Sequence, residues 1–302
     1  MSTAKFRSVL PCVGAVAGLL LLSTAAKAST LDLTTAGSAG NFGDGALYTE
    51  GGTLSGTGVF PAFVQVKTTG TNLTEQGYNT TVNNVNDNGP SDTFNHEITV
   101  SDLQTVHIGT TDYYKFELDI NEASQNNTDA FLSLDNIVIL TSTTKNQSST
   151  PLPAGTTRYN LDAVNDNSIV LNFLNEPGSG KYDMNLFVPV SNFSGALATD
   201  FVYLYSAFGG LGTVAANTVH GFNDADPGGI HFIPAGVYSG SDGFEEWALN
   251  PTAVPCPPTD PACGPIGGAV PEPASLLLLG SGLAAFSTAA ARRRANKKDS
   301  AK

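Results

Sequence analysis

YYKFELDI, residues 113–120, decides the fold. Tyr114, Phe116, Leu118 and Ile120 fall on one face, and Tyr113, Lys115, Glu117 and Asp119 fall on the other. Apolar and polar side chains alternate with period two, the signature of a strand with one face on a core and one toward water. Helical periodicity is nearly absent elsewhere in the body. Further strand patterns are FVQVK at 63–67, HEITV at 96–100, FLSLDNIVIL at 131–140, SIVLNFL at 168–174, MNLFVPV at 184–190 and FVYLYSAF at 201–208. NDNGPSD, LNEPGSGKYD and NDADPGG separate them, and these residue types tolerate turn backbones. Many short strands without intervening helices predict an all-β body, an antiparallel β-sandwich or jelly roll. The polar stretch 141–157 is read as a long loop inside that one body.

The chain has 302 residues, 14% of them charged, and a net charge of −13. The basic residues sit at the ends. Residues 29–273 hold five Lys or Arg against 26 Asp or Glu, a net charge of −21. Such a body repels nucleic acid and anionic lipid. Some 220 residues are enough to bury roughly 70% of the unfolded surface.

Both ends read as addresses. Residues 1–28 have Lys5 and Arg7, the apolar run VGAVAGLLLLS at 13–23, and small residues at Ala26 and Ala28. This is the pattern of a secretory signal peptide, a helix cut by signal peptidase after Ala28. At the other end, VPEP leads into ASLLLLGSGLAAFSTAAA, 18 uncharged residues at 274–291, and then Arg292, Arg293 and Arg294. A helix of that length spans about 27 Å, enough for a bilayer core, with the arginines held on the cytoplasmic side. A Pro/Gly-rich spacer at 251–269 precedes this segment, and ANKKDSAK at 295–302 follows it as a basic cytoplasmic tail.

The order of these parts over 270–294 resembles the PEP-CTERM sorting signal of exported bacterial proteins. The resemblance implies transient anchoring in the inner membrane, recognition of Pro271, Glu272 and Pro273 by an exosortase, and release to the cell surface or a biofilm matrix rich in exopolysaccharide. The same tail is also named an ice-binding protein C-terminal domain, but no regular T-x-T ladder accompanies it. In the body, LNEPGSGKYDMNLFVPVSNF, FVYLYSAFG and GFEEWAL are similar to a recurring arrangement in one group of PEP-CTERM proteins.

After processing, Cys256 and Cys263 remain, seven positions apart in an oxidising compartment, and read as one disulfide in the spacer. No G-x-S-x-G occurs in the body, no H-E-x-x-H occurs anywhere, and His96, His107, His220 and His231 are each isolated in sequence. The expectation is therefore a non-enzymatic exported protein that contacts exopolysaccharide. The alternatives are a secreted polysaccharide hydrolase and a self-associating surface protein. No cofactor is required. Calcium is the one candidate, at Asn86, Asp87, Asn88 and Asp166. NVNDNGP at 84–90 resembles the D-x-N-D-N-x-P linker of cadherins, with Asn84 in place of the leading Asp. The competing reading is that these Asn and Asp residues simply build turns. Trp247 and the adjacent carboxylates Glu245 and Glu246 read as a core anchor with carboxylates on alternate faces.

Overall fold

The computed structural model describes residues 28–52, 61–67, 72–88, 93–122, 128–177, 181–240 and 243–249. The signal helix, the spacer, both cysteines, the sorting motif with its apolar run and arginines, and the basic tail lie outside the described residues. Among the described residues, no helix is long and apolar enough to cross a membrane.

Eighteen strands follow in chain order. The first nine are β1 Ser29–Asp32, β2 Ala39–Gly40, β3 Leu47–Gly52, β4 Ala62–Val66, β5 Glu75–Tyr78, β6 Ile98–Thr99, β7 Thr105–Ile108, β8 Thr111–Asp119 and β9 Phe131–Ser142. The remainder are β10 Thr156–Asn160, β11 Asn167–Asn172, β12 Tyr182–Pro189, β13 Phe201–Phe208, β14 Thr213–Val214, β15 His220–Asn223, β16 Asp226–Phe232, β17 Gly236–Val237 and β18 Glu245–Ala248. The body is all-β, as its alternation predicts.

One sheet runs β16-β15-β1-β11-β9-β13-β5, with β10 on β9 and β6 on β13. The second runs β2-β3-β12-β8-β18-β4, with β7 on β8. Both sheets turn side chains into one hydrophobic cluster. Leu132, Ile139, Ile169 and Leu204 enter it from the first sheet, and Phe116, Leu118, Leu186 and Trp247 from the second. Residues 141–157 connect β9 to β10, neighbours in a single sheet. Gln147 stiffens that loop by bonding both backbone groups of Ala154, at 2.6 and 2.7 Å.

Two sequence expectations need correction. The first sheet is mixed, not antiparallel: β1 runs parallel to both β11 and β15. Its partners, Asn167–Val170 and Gly221–Phe222, come from distant sequence, so no tight turn sets its direction against them. Second, the outer face of β8 is not solvated. Lys115, Glu117 and Asp119 are buried. Lys115 and Glu117 are two apart, so they share a face, and the ammonium donates to the carboxylate at 2.5 Å while lying 5.0 Å from the Tyr182 ring centroid.

β9 is buried on both faces, as a central strand must be. Ile137 and Ile139 join the inter-sheet core, whereas Val138 and Leu140 join Tyr78, Tyr203 and Tyr205 on the other side. The pairing with β13 shifts between Ala207 and Phe208, opposite Asp135 and Asn136. That bulge lets Leu132 and Leu134 share the core with Ile137 and Ile139 despite the odd spacing between them.

Candidate functional site

The first sheet ends in the β15–β16 hairpin, whose turn carries the NDADPGG cluster. Asn223 builds the turn: its Oδ1 accepts from the backbone N–H groups of Ala225 and Asp226 at 3.0 and 3.2 Å. Its amide donates to the Asp32 carbonyl on β1 at 3.3 Å. The Asp224 N–H donates to the Ala39 carbonyl at 2.7 Å. The turn is thereby fastened to the segment that follows β1. Between them opens a cleft of about 530 Å³, walled by Asp32, the Thr35–Ala39 segment, Asn223, Asp224, Asp226 and His231. That volume lies in the range of small-ligand sites.

His231 is the centre of the cleft's polar wall. Its Nε2 lies 3.1 Å from Asp32 Oδ2, and its Nδ1 lies 3.0 Å from Asp226 Oδ2. With both carboxylates ionised, both contacts are hydrogen bonds only when each ring nitrogen carries a proton. Asp32 is further fixed by Thr34, whose N–H and hydroxyl both donate to Oδ1, at 2.9 and 2.6 Å. His231 sits on β16 and Asp32 on β1, with β15 between them. Gly221 on β15 makes the crossing possible: a Cβ there would stand 3.0 Å from both His231 Nε2 and Asp32 Cβ.

Each ring nitrogen of the imidazole faces a carboxylate oxygen. The nearby Ser38 hydroxyl donates to the Thr35 carbonyl instead. What the cleft offers is a largely apolar wall with carboxyl groups set into it. Asp224 adds a carboxyl whose proton affinity is raised by burial. Such a surface suits ligands rich in hydroxyl donors.

The predicted calcium ligands fall in two places. Asp87 Oδ2 accepts from the Gln76 N–H at 3.1 Å, and Asn88 binds both backbone groups of Tyr78 at 3.2 and 2.7 Å. The Asn86 amide donates to the Pro151 carbonyl at 2.8 Å. The Lys67 N–H donates to the Asp87 carbonyl, so this segment straps β4 of one sheet to β5 of the other. Asn84 and Asn86 take left-handed backbones, φ 59° and 54°. Asp166 lies before β11, where its carbonyl accepts from the Ser29 N–H at 3.1 Å. The strands beside these two places, β5 and β1, are four positions apart in the sheet. Among the described residues, no group of three or more His, Cys, Asp or Glu is placed to hold a metal ion.

Trp247 is fully buried in the core, and its indole N–H donates to Ser206 at 3.1 Å. Glu245 shares its inward face. Its carboxyl lies in the same buried region as Glu75, which β5 contributes from the opposite sheet. Burial is the main reason that Glu245 holds its proton well above the ordinary carboxylate range, with Glu75 and Glu122 adding to it. Sequence reading missed the His231 cluster. Its only local signal is DADPGG, because Asp32 comes from the far end of the chain.

A family model described as the PEP-CTERM protein-sorting motif matches residues 269–294. No curated protein and no solved structure matches the chain. The motif implies exosortase-dependent sorting. The chain is thus an exported protein that carries a PEP-CTERM sorting motif and is anchored in a membrane transiently before exosortase processing.

Proposed function

We propose that the body works outside the cell, at its surface or in the extracellular matrix, as a non-enzymatic module that contacts exopolysaccharide through the His231 cleft. The observation that carries this reading is the clasp of His231. Both ring nitrogens face carboxylates, those of Asp32 and Asp226, which holds the imidazole in place as a wall for a ligand. Asp224 presents its carboxyl to sugar hydroxyls, and the strongly acidic surface keeps the module soluble. In this reading the contact needs no cofactor.

The test uses mature protein recovered from culture medium on a glycan array, with and without calcium. The expected result is binding to acidic or neutral polysaccharide that falls at least tenfold in His231→Ala. Release of reducing ends from any bound glycan would assign a hydrolase instead. Silence with and without calcium would remove the carbohydrate reading. Mass spectrometry of the same sample checks the expected start at Ser29 and an end near Pro271-Glu272-Pro273.

A further inference from the structure

We propose that β1 is an exchangeable strand, donated by one copy of this chain to the body of a second copy. The proposal goes beyond the carbohydrate reading and does not depend on it.

Three observations carry it. First, β1 sits in the interior of its sheet, between β11 and β15, yet it is the first strand among the described residues. Removal of the signal peptide after Ala28 would make Ser29 the first residue of the mature chain, so the strand would be tethered at its C-terminal end alone. Second, β1 pairs in parallel with both neighbours, in register Thr30↔Ser168 and Thr30↔Gly221. No hairpin binds it to its own body; Thr30 and Ser168 are 138 residues apart in the chain. Third, beyond Leu33 the chain passes through residues 34–38 and enters the second sheet at β2. Those five residues can span roughly 17 Å when extended. Gly37, at φ 78° with open space around it, offers a hinge within them.

The slot demands this strand. Leu31 and Leu33 are fully buried in the inter-sheet core. In the sheet order, β1 is the strand that joins the β15–β16 hairpin to β11. A body that has released its own β1 presents an apolar groove edged by unpaired backbone, which an identical strand fills with identical contacts. Only the hinge changes, so the exchange costs little and concentration drives it. The His231 cluster would then be shared, with Asp32 from one copy and His231 and Asp226 from the next.

Disulfide trapping tests this directly, because the Thr30 and Ser168 hydroxyls are 3.0 Å apart. Mature protein in a Cys256→Ser, Cys263→Ser background is made with Thr30→Cys, with Ser168→Cys, or with both. Thr30→Cys and Ser168→Cys chains are concentrated together, oxidised and run without reductant. The expected result is a covalent species of twice the mass in the mixture, absent from either chain alone. The double variant is expected to give covalent multimers as well as internally closed monomer. A mixture that stays monomeric overturns the proposal, whether or not the double variant closes its internal disulfide.

Discussion

Asp32 and His231 are 199 residues apart in the chain and 3.1 Å apart in space. The contact joins the first strand to the last hairpin of the same sheet across Gly221. His231→Ala removes two charge-assisted hydrogen bonds and leaves the largely buried Asp32 carboxylate short of a donor. The expected cost is about 1–3 kcal/mol. Gly221→Ala should cost a similar amount by pushing the ring off Asp32. Urea unfolding of both variants measures this, and midpoints equal to wild type would show the cluster to be idle in folding.

Buried carboxyls give this protein an unusual response to acid. Burial raises the proton affinity of Glu245, Asp183 and Asp135, the last to about 6. The folded state therefore holds protons that an unfolded chain releases near pH 4. That contribution is complete below pH 4 and is lost as pH rises through the folded values, which for Asp135 means between about 4 and 6. Thermal unfolding should occur at higher temperature at pH 5 than at pH 7.5. Asp135 accepts from the Gly210 N–H at 2.6 Å, a bond that the carboxamide oxygen of Asp135→Asn can keep. That variant should flatten the pH 4–6 slope by at most about 3 kcal/mol. A melting temperature that falls steadily from pH 7.5 to 5 would contradict the assignment.

Lys115 and Glu117 are an ion pair with side chains almost wholly removed from water. Lys115→Ala leaves Glu117 charged and buried, at an expected cost of about 3–5 kcal/mol. Replacing both, as in Lys115→Met with Glu117→Leu, should recover most of that loss, because the paired desolvation penalty disappears. A double variant no better than the single one would mean that other polar groups on that face need the pair.

The protein has one tryptophan, and Trp247 lies in the inter-sheet core. Its fluorescence should report global unfolding and stay unchanged when glycan binds. Trp247→Ala should cost about 3–5 kcal/mol from lost burial and the cavity left behind. A large spectral shift on glycan addition, with no change in stability, would place the indole at a binding surface instead.

Strands with strong alternation or long apolar runs were legible in sequence. FVYLYSAF at 201–208 coincides with β13, and FLSLDNIVIL lies wholly within β9. STLD, HGFN and DPGGIHF were not. They are short or rich in Gly and small polar residues, and DPGGIHF carries at its second position a proline, Pro227, that ordinarily demotes a strand. Their pairing is set by neighbours, not by their own pattern. The NDADPGG turn was visible as an acidic cluster, but nothing local says that it faces Asp32.

The sequence alone determined the address and the fold class. An apolar run fenced by VPEP and three arginines is read by length and charge, and period-two alternation dictates sheets; both signals are local and additive along the chain. The tertiary structure decided everything that depends on distant residues meeting. It set the parallel seat of β1, the burial of Lys115 with Glu117, the burial that raises the proton affinity of Glu245, and the clasp of His231 by two carboxylates. A side chain's type fixes what it can bond, but its partner and its exposure to water exist only once the sheets have packed.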